Sequence, residues 1–146
     1  GVIGPAECIL TVSALAEEVG YRVAEKGGIL ITGGLTGVME AACKGAKTAG
    51  GLTVGILPGF DAYEANHFVD IPIVTGLSHA RNVIVVRTAE GIIAIEGGYG
   101  TLSEIAFALK IGRPIVGINT WQVAPQIIQA RDPKDAVEKI FAAIGP

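Results

Sequence analysis

Aromatic and charged residues are scarce in this 146-residue sequence. Only 5% of the residues are aromatic and 17% are charged, 50% are hydrophobic, and the formal net charge is -3 with 11 basic residues. So hydrophobic a composition excludes intrinsic disorder. The low aromatic content and the lack of a Lys/Arg run argue against a nucleic-acid-binding surface. We therefore expect no nucleic-acid partner, although loops could still hold a small anion.

Cysteines and long apolar runs are equally rare. Cys8 and Cys43 are too few for a disulfide framework, and neither has a His or Cys neighbour at a zinc-ligand spacing. The longest apolar stretches, such as residues 83–86 and 92–95, fall far short of the about 20 residues that span a bilayer. The sequence does not begin with a basic segment followed by a long apolar run, which is the pattern of a secretory signal. We therefore expect a cytoplasmic protein with no metal site and no membrane partner.

Short β-branched runs alternate along the chain with longer stretches of helical periodicity. This alternation is typical of strand–helix–strand units, and hence of a parallel sheet with helices on both faces. Length and composition favour one domain over residues 1–146. The sequence therefore predicts a three-layer α/β protein. The predicted strands are residues 2–3, 29–32, 53–57, 71–74, 92–95 and 115–118.

Five helices are predicted between and after these strands. They begin near residues 12, 38, 78, 101 and 133. Glycine pairs at 27–28 and 50–51 end the first two, and Gly112 with Pro114 ends the fourth. The last helix has the clearest start, with Asp132 as the N-cap and Pro133 at the first helical position.

Two of the strand-to-helix turns are rich in glycine. The first covers residues 32–37 and the second residues 96–101, both at the carboxyl edge of the predicted sheet. Ligands of open parallel sheets bind at this edge, where glycine lets backbone N–H groups approach an anion and helix N-termini favour it. Neither turn matches the dinucleotide or Walker pattern, and turn geometry alone could explain either one. Two such turns on one edge favour phosphate binding. The candidate phosphate- or nucleotide-binding residues are Gly33, Gly34, Thr36, Gly37, Gly97, Gly98, Tyr99, Gly100 and Thr101.

Two charged residues near these turns are candidate catalytic residues. Glu104 stands fourth in Thr-Leu-Ser-Glu, and this spacing alone favours a capping box with Thr101. Alternatively, its carboxylate could orient a ribose hydroxyl or stabilise a cationic transition state. Arg81 lies near the start of the third helix, where a cation opposes the helix dipole. It could clamp a phosphate or carboxylate, or it could be a solvated surface arginine.

Three further features have both a functional and a structural explanation. His79 could act as an acid or base, or could be a cap or surface residue. The polar residues 61–67 could form a mobile loop over a ligand or a solvated connection. Trp121 could line a pocket or anchor the edge of the domain.

The glycine turns and Arg81 together resemble the Lonely Guy (LOG) family, formerly labelled possible lysine decarboxylases. The resemblance runs from Gly1 to about Asn119 and includes most of the family's P-G-G-x-G-T-x-x-E motif. It implies a Rossmann-like fold, a homo-oligomer (a dimer or a dimer of dimers) and hydrolysis of the N-glycosidic bond of a nucleoside 5'-monophosphate. Under the resemblance, Glu104 matches the catalytic glutamate and Arg81 matches the arginine of an M-x-x-R-K segment. Gly97, Gly98, Gly100 and Thr101 match the phosphate-binding turn.

Two departures from the LOG pattern leave a second function open. Glu96 stands where the motif has Pro, and would weaken anion binding if it pointed inward, while Asn82 stands where the family has Lys. These differences resemble the branch of molybdenum-cofactor carrier proteins, which bind a pterin phosphate. The leading hypothesis is a phosphoribohydrolase, and the alternative is a carrier or nucleotide sensor without turnover. A third possibility is an assembly module in which the glycines serve turn geometry alone.

Lysine decarboxylation is rejected, because nothing in the sequence resembles the Schiff-base lysine site of pyridoxal phosphate. The small phosphate ligand is then the expected partner, and no cofactor is expected.

Overall fold

The computed structural model describes residues 1–145, which form seven β-strands and five α-helices. The strands are β1 (Val2–Ile3), β2 (Leu30–Thr32), β3 (Thr53–Leu57), β4 (Ile71–Val74), β5 (Ile92–Ile95), β6 (Ile115–Ile118) and β7 (Ile128–Gln129). The helices are α1 (Leu10–Glu25), α2 (Val38–Thr48), α3 (Arg81–Thr88), α4 (Tyr99–Ile111) and α5 (Pro133–Ile144). Short 3-10 turns cover Ala62–Glu64 and Ser78–Ala80. None of the helices described is long and apolar enough to cross a membrane.

The strands form two parallel ladders that meet in the middle of the molecule. One ladder has the order β1-β5-β6-β7 and the other has the order β2-β3-β4, and every pairing is parallel. Because β1 lies beside β2, the chain winds outward from β1 in one direction and then returns to β5 on its other side. This reversal creates a topological switch point, where the carboxyl ends of the strands leave a crevice.

Helices cover both faces of the strands. Helices α1, α2 and α5 pack on one face and α3 and α4 on the other. Successive strand residues point to opposite faces, so Val2 and Ile93 join the first hydrophobic core while Ile3 and Ile92 join the second. The four residues of β5 are all buried, as expected for a strand covered on both faces. The prediction of a three-layer, Rossmann-like α/β fold is therefore confirmed.

The predicted elements agree with the structure except at several helix starts and in one strand. All six predicted strands are present, although β2 begins at Leu30 rather than at residue 29. Helix α1 begins two residues earlier than predicted, and α3 begins at Arg81 after a 3-10 turn. Helix α4 begins at Tyr99, two residues before the predicted start, because Gly98 takes the N-cap position. Strand β7 was not predicted, since its two exposed residues carry no periodic signal.

Candidate functional site

A cleft of about 460 Å³ lies at the carboxyl edge of the sheet, at the switch point between β1 and β5. Its volume falls within the range of about 300–1,000 Å³ that is usual for small-molecule sites. The candidate residues that line it are Gly33, Arg81, Gly98, Gly100, Thr101 and Glu104. The remaining candidates, which are Gly34, Thr36, Gly37, Gly97 and Tyr99, lie outside the lining. The cleft thus brings both proposed catalytic residues together with part of each glycine turn.

The first glycine turn packs closely against other parts of the protein. Gly34 has a φ of +77°, and a Cβ there would lie 2.5 Å from a side-chain atom of Leu57. Gly37 has a φ of +66°, and a Cβ there would lie 2.3 Å from the Pro5 carbonyl oxygen. That same carbonyl accepts the first N–H of α2 at 3.0 Å. The Thr36 hydroxyl donates to another carbonyl of the β1–α1 connection at 2.8 Å. Turn geometry and close packing therefore explain Gly34 and Gly37.

The second glycine turn is open at the end that faces the cleft. Within residues 1–145, apart from each glycine's chain neighbours and the nearby backbone of α4, no atom lies within 4 Å of the position that a Cβ would take on Gly98 or Gly100. Gly97 has a φ of +124°, and a Cβ there would lie 2.4 Å from the Thr101 side chain. No side chain caps α4, so its first N–H groups lack helical partners and favour an anion.

Arg81 is a buried residue whose guanidinium is fixed by the protein. It is 8% exposed. Its Nε donates to the carbonyl of Ile56 at 2.8 Å, its Nη2 to that of Gly33 at 3.4 Å, and its Nη1 to the side chain of Asn82. The surface-arginine explanation is therefore wrong. Burial lowers the pKa of Arg81, and two of its five N–H groups remain for a ligand.

Asn82 connects this arginine to the helix that follows the second glycine turn. It is 4% exposed, and its Nδ2 donates to the Ser103 hydroxyl at 3.2 Å. That hydroxyl donates in turn to the carbonyl of Gly100 at 2.6 Å. A continuous hydrogen-bond chain therefore runs from Arg81 to the first turn of α4. Neither Asn82 nor Ser103 is a candidate site residue in the sequence analysis. Their positions next to Arg81 and in α4 do not predict that hydrogen bonds connect them.

Glu104 is a buried carboxyl group on the cleft side of α4. It is 7% exposed and lines the cleft. The capping box is wrong, because α4 begins at Tyr99 with Gly98 as its N-cap and has no side-chain cap. Burial raises the pKa of Glu104 to about 7, and the charge of Arg81 lowers it in part. Protonated and ionised forms therefore coexist at neutral pH, as is typical of functional sites.

The weaker candidates occupy different places around the cleft. His79 is exposed in the 3-10 turn before α3 and lines the cleft. Glu96 has a φ of +53° and lines a separate cavity of about 260 Å³ next to Trp121. Glu96 is therefore not one of the residues that line the cleft, and its carboxylate does not face an anion bound there.

The polar segment 61–67 supports the first glycine turn and does not line the cleft. The backbone N–H of Asn66 donates to the carbonyl of Gly34 at 2.9 Å. Its side-chain Nδ2 donates to Gly34 at 3.2 Å and to Leu35 at 2.8 Å. Trp121 makes a comparable contact with the second turn, because its Nε1 donates to the carbonyl of Gly98 at 3.1 Å.

The proteins similar to this chain include a phosphoribohydrolase and two molybdenum-cofactor proteins. It is 35% identical to the cytokinin riboside 5'-monophosphate phosphoribohydrolase of Mycobacterium tuberculosis over 116 residues, or 73% of this chain and 62% of that protein. The chain thus spans less than two thirds of that relative. The molybdenum cofactor binding protein of the phototrophic bacterium Rippkaea orientalis matches with a TM-score of 0.93 and 39% identity, over 99% of this chain and 95% of that one. The molybdenum cofactor carrier protein of Chlamydomonas reinhardtii matches with a TM-score of 0.86 and 38% identity, over 96% and 93%.

A family model matches nearly all of the chain. It describes the SLOG cluster4 family and covers residues 1–143. Together with the phosphoribohydrolase relative, it confirms the LOG resemblance carried by the two glycine turns and Arg81. The chain belongs to the SLOG cluster4 family.

Proposed function

We propose that the cleft binds a small phosphate ester at the second glycine turn, within a single nucleotide- or phosphate-binding domain. The observation that carries this proposal is the open N-terminus of α4 beside buried Arg81. Unpaired N–H groups at a helix N-terminus and a guanidinium both favour a phosphate. Relatives named for a riboside 5'-monophosphate and for the molybdenum cofactor support a ligand of this kind.

For the fate of the ligand, we propose that the protein holds a pterin-type phosphate ester and releases it intact. The two molybdenum-cofactor proteins match this chain over almost its whole length. Arg81 also donates three hydrogen bonds to protein acceptors, one of them to Asn82, which stands where LOG hydrolases have Lys. An arginine held in this way can present its remaining N–H groups to the phosphate of a bound ligand.

Glu104 favours a second candidate, hydrolysis of the N-glycosidic bond of a nucleoside 5'-monophosphate. In that reaction the base leaves with the bonding electron pair and gains a proton, while water adds to the sugar carbon and loses one. Ribose 5-phosphate and the free base are the products. Ionised Glu104 would stabilise the positive charge that develops on the ribose. A carboxyl with a pKa of about 7 can also move a proton at neutral pH.

One experiment tests the proposal and separates the two candidates. The protein is mixed with a panel of nucleoside 5'-monophosphates and with a phosphorylated pterin, each beside its unphosphorylated form. Unfolding temperature, free base and ribose 5-phosphate are measured. A ligand at 100 times its dissociation constant adds about 2.7 kcal/mol to the free energy of unfolding. Because the proposed site recognises the phosphate group, we expect this stabilisation from the phosphorylated compounds and not from their unphosphorylated forms.

The outcomes distinguish three functions. Stabilisation by the phosphorylated pterin without product release supports a carrier. Base release that is lost in Glu104→Gln but kept in the exposed-site control Glu138→Gln supports a hydrolase and overturns the proposal of intact release. No stabilisation by any phosphate ester rejects the binding site and favours an assembly module.

We also propose that the protein forms a homo-oligomer, a dimer or a dimer of dimers. All four residues of edge strand β4 are exposed, including Ile71 at 45% and Ile73 at 41%. A second copy that covers this edge would remove these apolar side chains from water. Light scattering after size exclusion should give more than 14.9 kDa, and Ile73→Lys should reduce that mass. A monomeric wild-type protein would reject the proposal.

A further inference from the structure

The second glycine turn is held from its outer side by two residues that follow β6. The Thr120 hydroxyl donates to the carbonyl of Glu96, and the Trp121 Nε1 donates to the carbonyl of Gly98 at 3.1 Å. These bonds hold the first residue of the turn and the residue that caps α4. The Trp121 indole also stacks on the Tyr99 ring, with centroids 6.3 Å apart and an interplanar angle of 24°. Trp121 thus hydrogen-bonds to Gly98 and stacks on Tyr99, the two residues that share one peptide group.

The backbone of this turn needs such external support. Glu96 and Gly97 are consecutive residues with φ of +53° and +124°. A non-glycine residue in the left-handed region is strained, and it persists only where surrounding contacts impose it. Gly98 offers no side chain of its own, and no atom lies within 4 Å of the position its Cβ would take. The turn is therefore held by contacts from outside it, which include the bonds to the carbonyls of Glu96 and Gly98 and the bond from the Glu96 N–H to the carbonyl of Ile118 at 3.1 Å.

The bond from Trp121 acts on the peptide group at the mouth of the cleft. In a planar trans peptide the C=O and N–H groups point in opposite directions. Fixing the carbonyl of Gly98 therefore also fixes the direction of the Tyr99 N–H, which is the first free N–H of α4. The same carbonyl accepts the Leu102 N–H at 3.0 Å. Trp121 thus stabilises the first turn of the helix whose N–H groups face the proposed phosphate.

The first glycine turn is supported in a corresponding way. Asn66 follows β3 as Trp121 follows β6, and its N–H and Nδ2 groups donate to the carbonyls of Gly34 and Leu35. In each case the support comes from the connection after the next parallel strand, which reaches the same sheet edge. The contact made by Trp121 is therefore part of a repeated arrangement, in which a side chain from the connection after the next strand supports each glycine turn.

We propose that Trp121 is a positioning residue that fixes the Gly97–Gly98 turn for phosphate binding. This inference rests on the proposed phosphate function of the cleft. Trp121 is not among the residues that line the cleft, so it acts through the backbone and not by touching the ligand.

Three variants test this role in the 146-residue protein. Trp121→Phe keeps an aromatic ring next to Tyr99 but loses the N–H donor, Trp121→Leu loses both, and Gln122→Ala is the control at the exposed neighbouring position. The amide exchange rate of Leu102 is measured without ligand, and the dissociation constant for inorganic phosphate is measured by titration. A hydrogen bond contributes about 0.5–1.5 kcal/mol, so Trp121→Phe should change each quantity about 2- to 10-fold. Gln122→Ala should change neither.

The two measurements separate this proposal from the proposed function. Unchanged Leu102 exchange in Trp121→Phe and Trp121→Leu would overturn the positioning role. Faster exchange with an unchanged phosphate affinity would also overturn it, because the turn would then be supported for a reason other than binding. If exchange is faster in the Trp121 variants but the wild-type protein binds no phosphate, Trp121 supports the turn and the proposed phosphate function is rejected.

Discussion

At the scale of single residues, the ionisation of Glu104 makes stability depend on pH. Burial raises the pKa of Glu104 from 4.5 to about 7 in the folded protein. Between these two values the folded state binds more protons than the unfolded state, so the free energy of unfolding falls as pH rises. Each unit of pKa shift corresponds to about 1.4 kcal/mol, which sets the expected loss on the order of 2–3 kcal/mol between pH 4.5 and pH 7.

Glu104→Gln should remove this decline and make the protein more stable than wild type above pH 7. Urea unfolding at a series of pH values from 4 to about 9 measures it. Glu138→Gln, at an exposed position of α5, should keep the wild-type decline. Parallel profiles for Glu104→Gln and wild type would show that the carboxyl ionises without a penalty, and hence that it is not buried.

Arg81 should influence the same titration from the opposite direction. Its charge lowers the pKa of Glu104, so Arg81→Met should raise that pKa above about 7, while Arg81→Lys, which keeps the charge, should leave it nearer the wild-type value. A carbon-13 NMR titration of labelled glutamate carboxyls measures both. Arg81→Met also leaves the carbonyls of Ile56 and Gly33 without their donor, at about 1–3 kcal/mol for each buried group. An equal pKa for Glu104 in the Met variant and the wild type would mean that the two side chains do not interact.

The sequence predicted the residue types of the site better than their contacts. Arg81, Glu104 and the second turn could be selected because they match the LOG pattern, whereas spacing alone favoured a capping role for Glu104 and left Arg81 open as a surface residue. Whether Glu104 caps α4 depended on a two-residue difference in where that helix begins. The support given by Asn66 and Trp121 depends on which connections meet at the sheet edge, and only the three-dimensional topology shows that.

At the scale of elements, α1 and α2 approach each other closely at two glycines. A Cβ on Gly20 would lie 1.9 Å from the Ala42 carbonyl oxygen, and one on Gly45 would lie 1.8 Å from the Glu17 carbonyl oxygen. Gly20→Ala must therefore push the helices apart. Overpacking costs about 1–3 kcal/mol, and here it should exceed the gain of about 1 kcal/mol in helix propensity. We expect a lower urea midpoint with an unchanged slope.

Gly100→Ala is the matched control for that change. Gly100 also lies in a helix, but no atom lies within 4 Å of its Cβ position, so the same substitution should be neutral or stabilising. Its methyl group would stand in the cleft, and phosphate affinity should fall while stability does not. If Gly20→Ala were as stable as Gly100→Ala, the close approach of α1 and α2 would be wrong.

Most of the elements could be predicted from the sequence, because they have a strong hydrophobic periodicity or a capping signal. The start of α5 was predicted correctly because Asp132 and Pro133 act locally, and the Asp132 carboxylate does accept the Asp135 N–H at 2.8 Å. The start of α4 was missed because the Gly98 N-cap uses no side chain and Gly100 is a poor helix former. Strand β7 exists because Ile128 and Gln129 reach β6, and two residues carry too little pattern to show it.

At the scale of the whole molecule, the topology collects separate parts of the chain at one edge. The switch point between β1 and β5 places Gly33, Arg81 and Glu104 around one cleft, although they are far apart in the sequence. The two glycine turns then differ in use, since the first packs against the β1–α1 connection while the second stays open. A bound anion at the second turn would therefore lie in the same cleft as Glu104, and phosphate binding should be coupled to its protonation.

We expect wild-type protein to take up protons when it binds a phosphate ester, because a nearby anion disfavours the ionised carboxyl. With a pKa of about 7, Glu104 can take up as much as about half a proton per site at pH 7. Calorimetric titration in two buffers of different ionisation enthalpy measures this number. The phosphate's own second pKa, about 6, contributes to the uptake in both proteins, so the difference between wild type and Glu104→Gln reports the Glu104 carboxyl together with its coupling to the phosphate. An identical uptake in both proteins would place the phosphate away from Glu104 and would remove the link between binding at the second turn and this carboxyl.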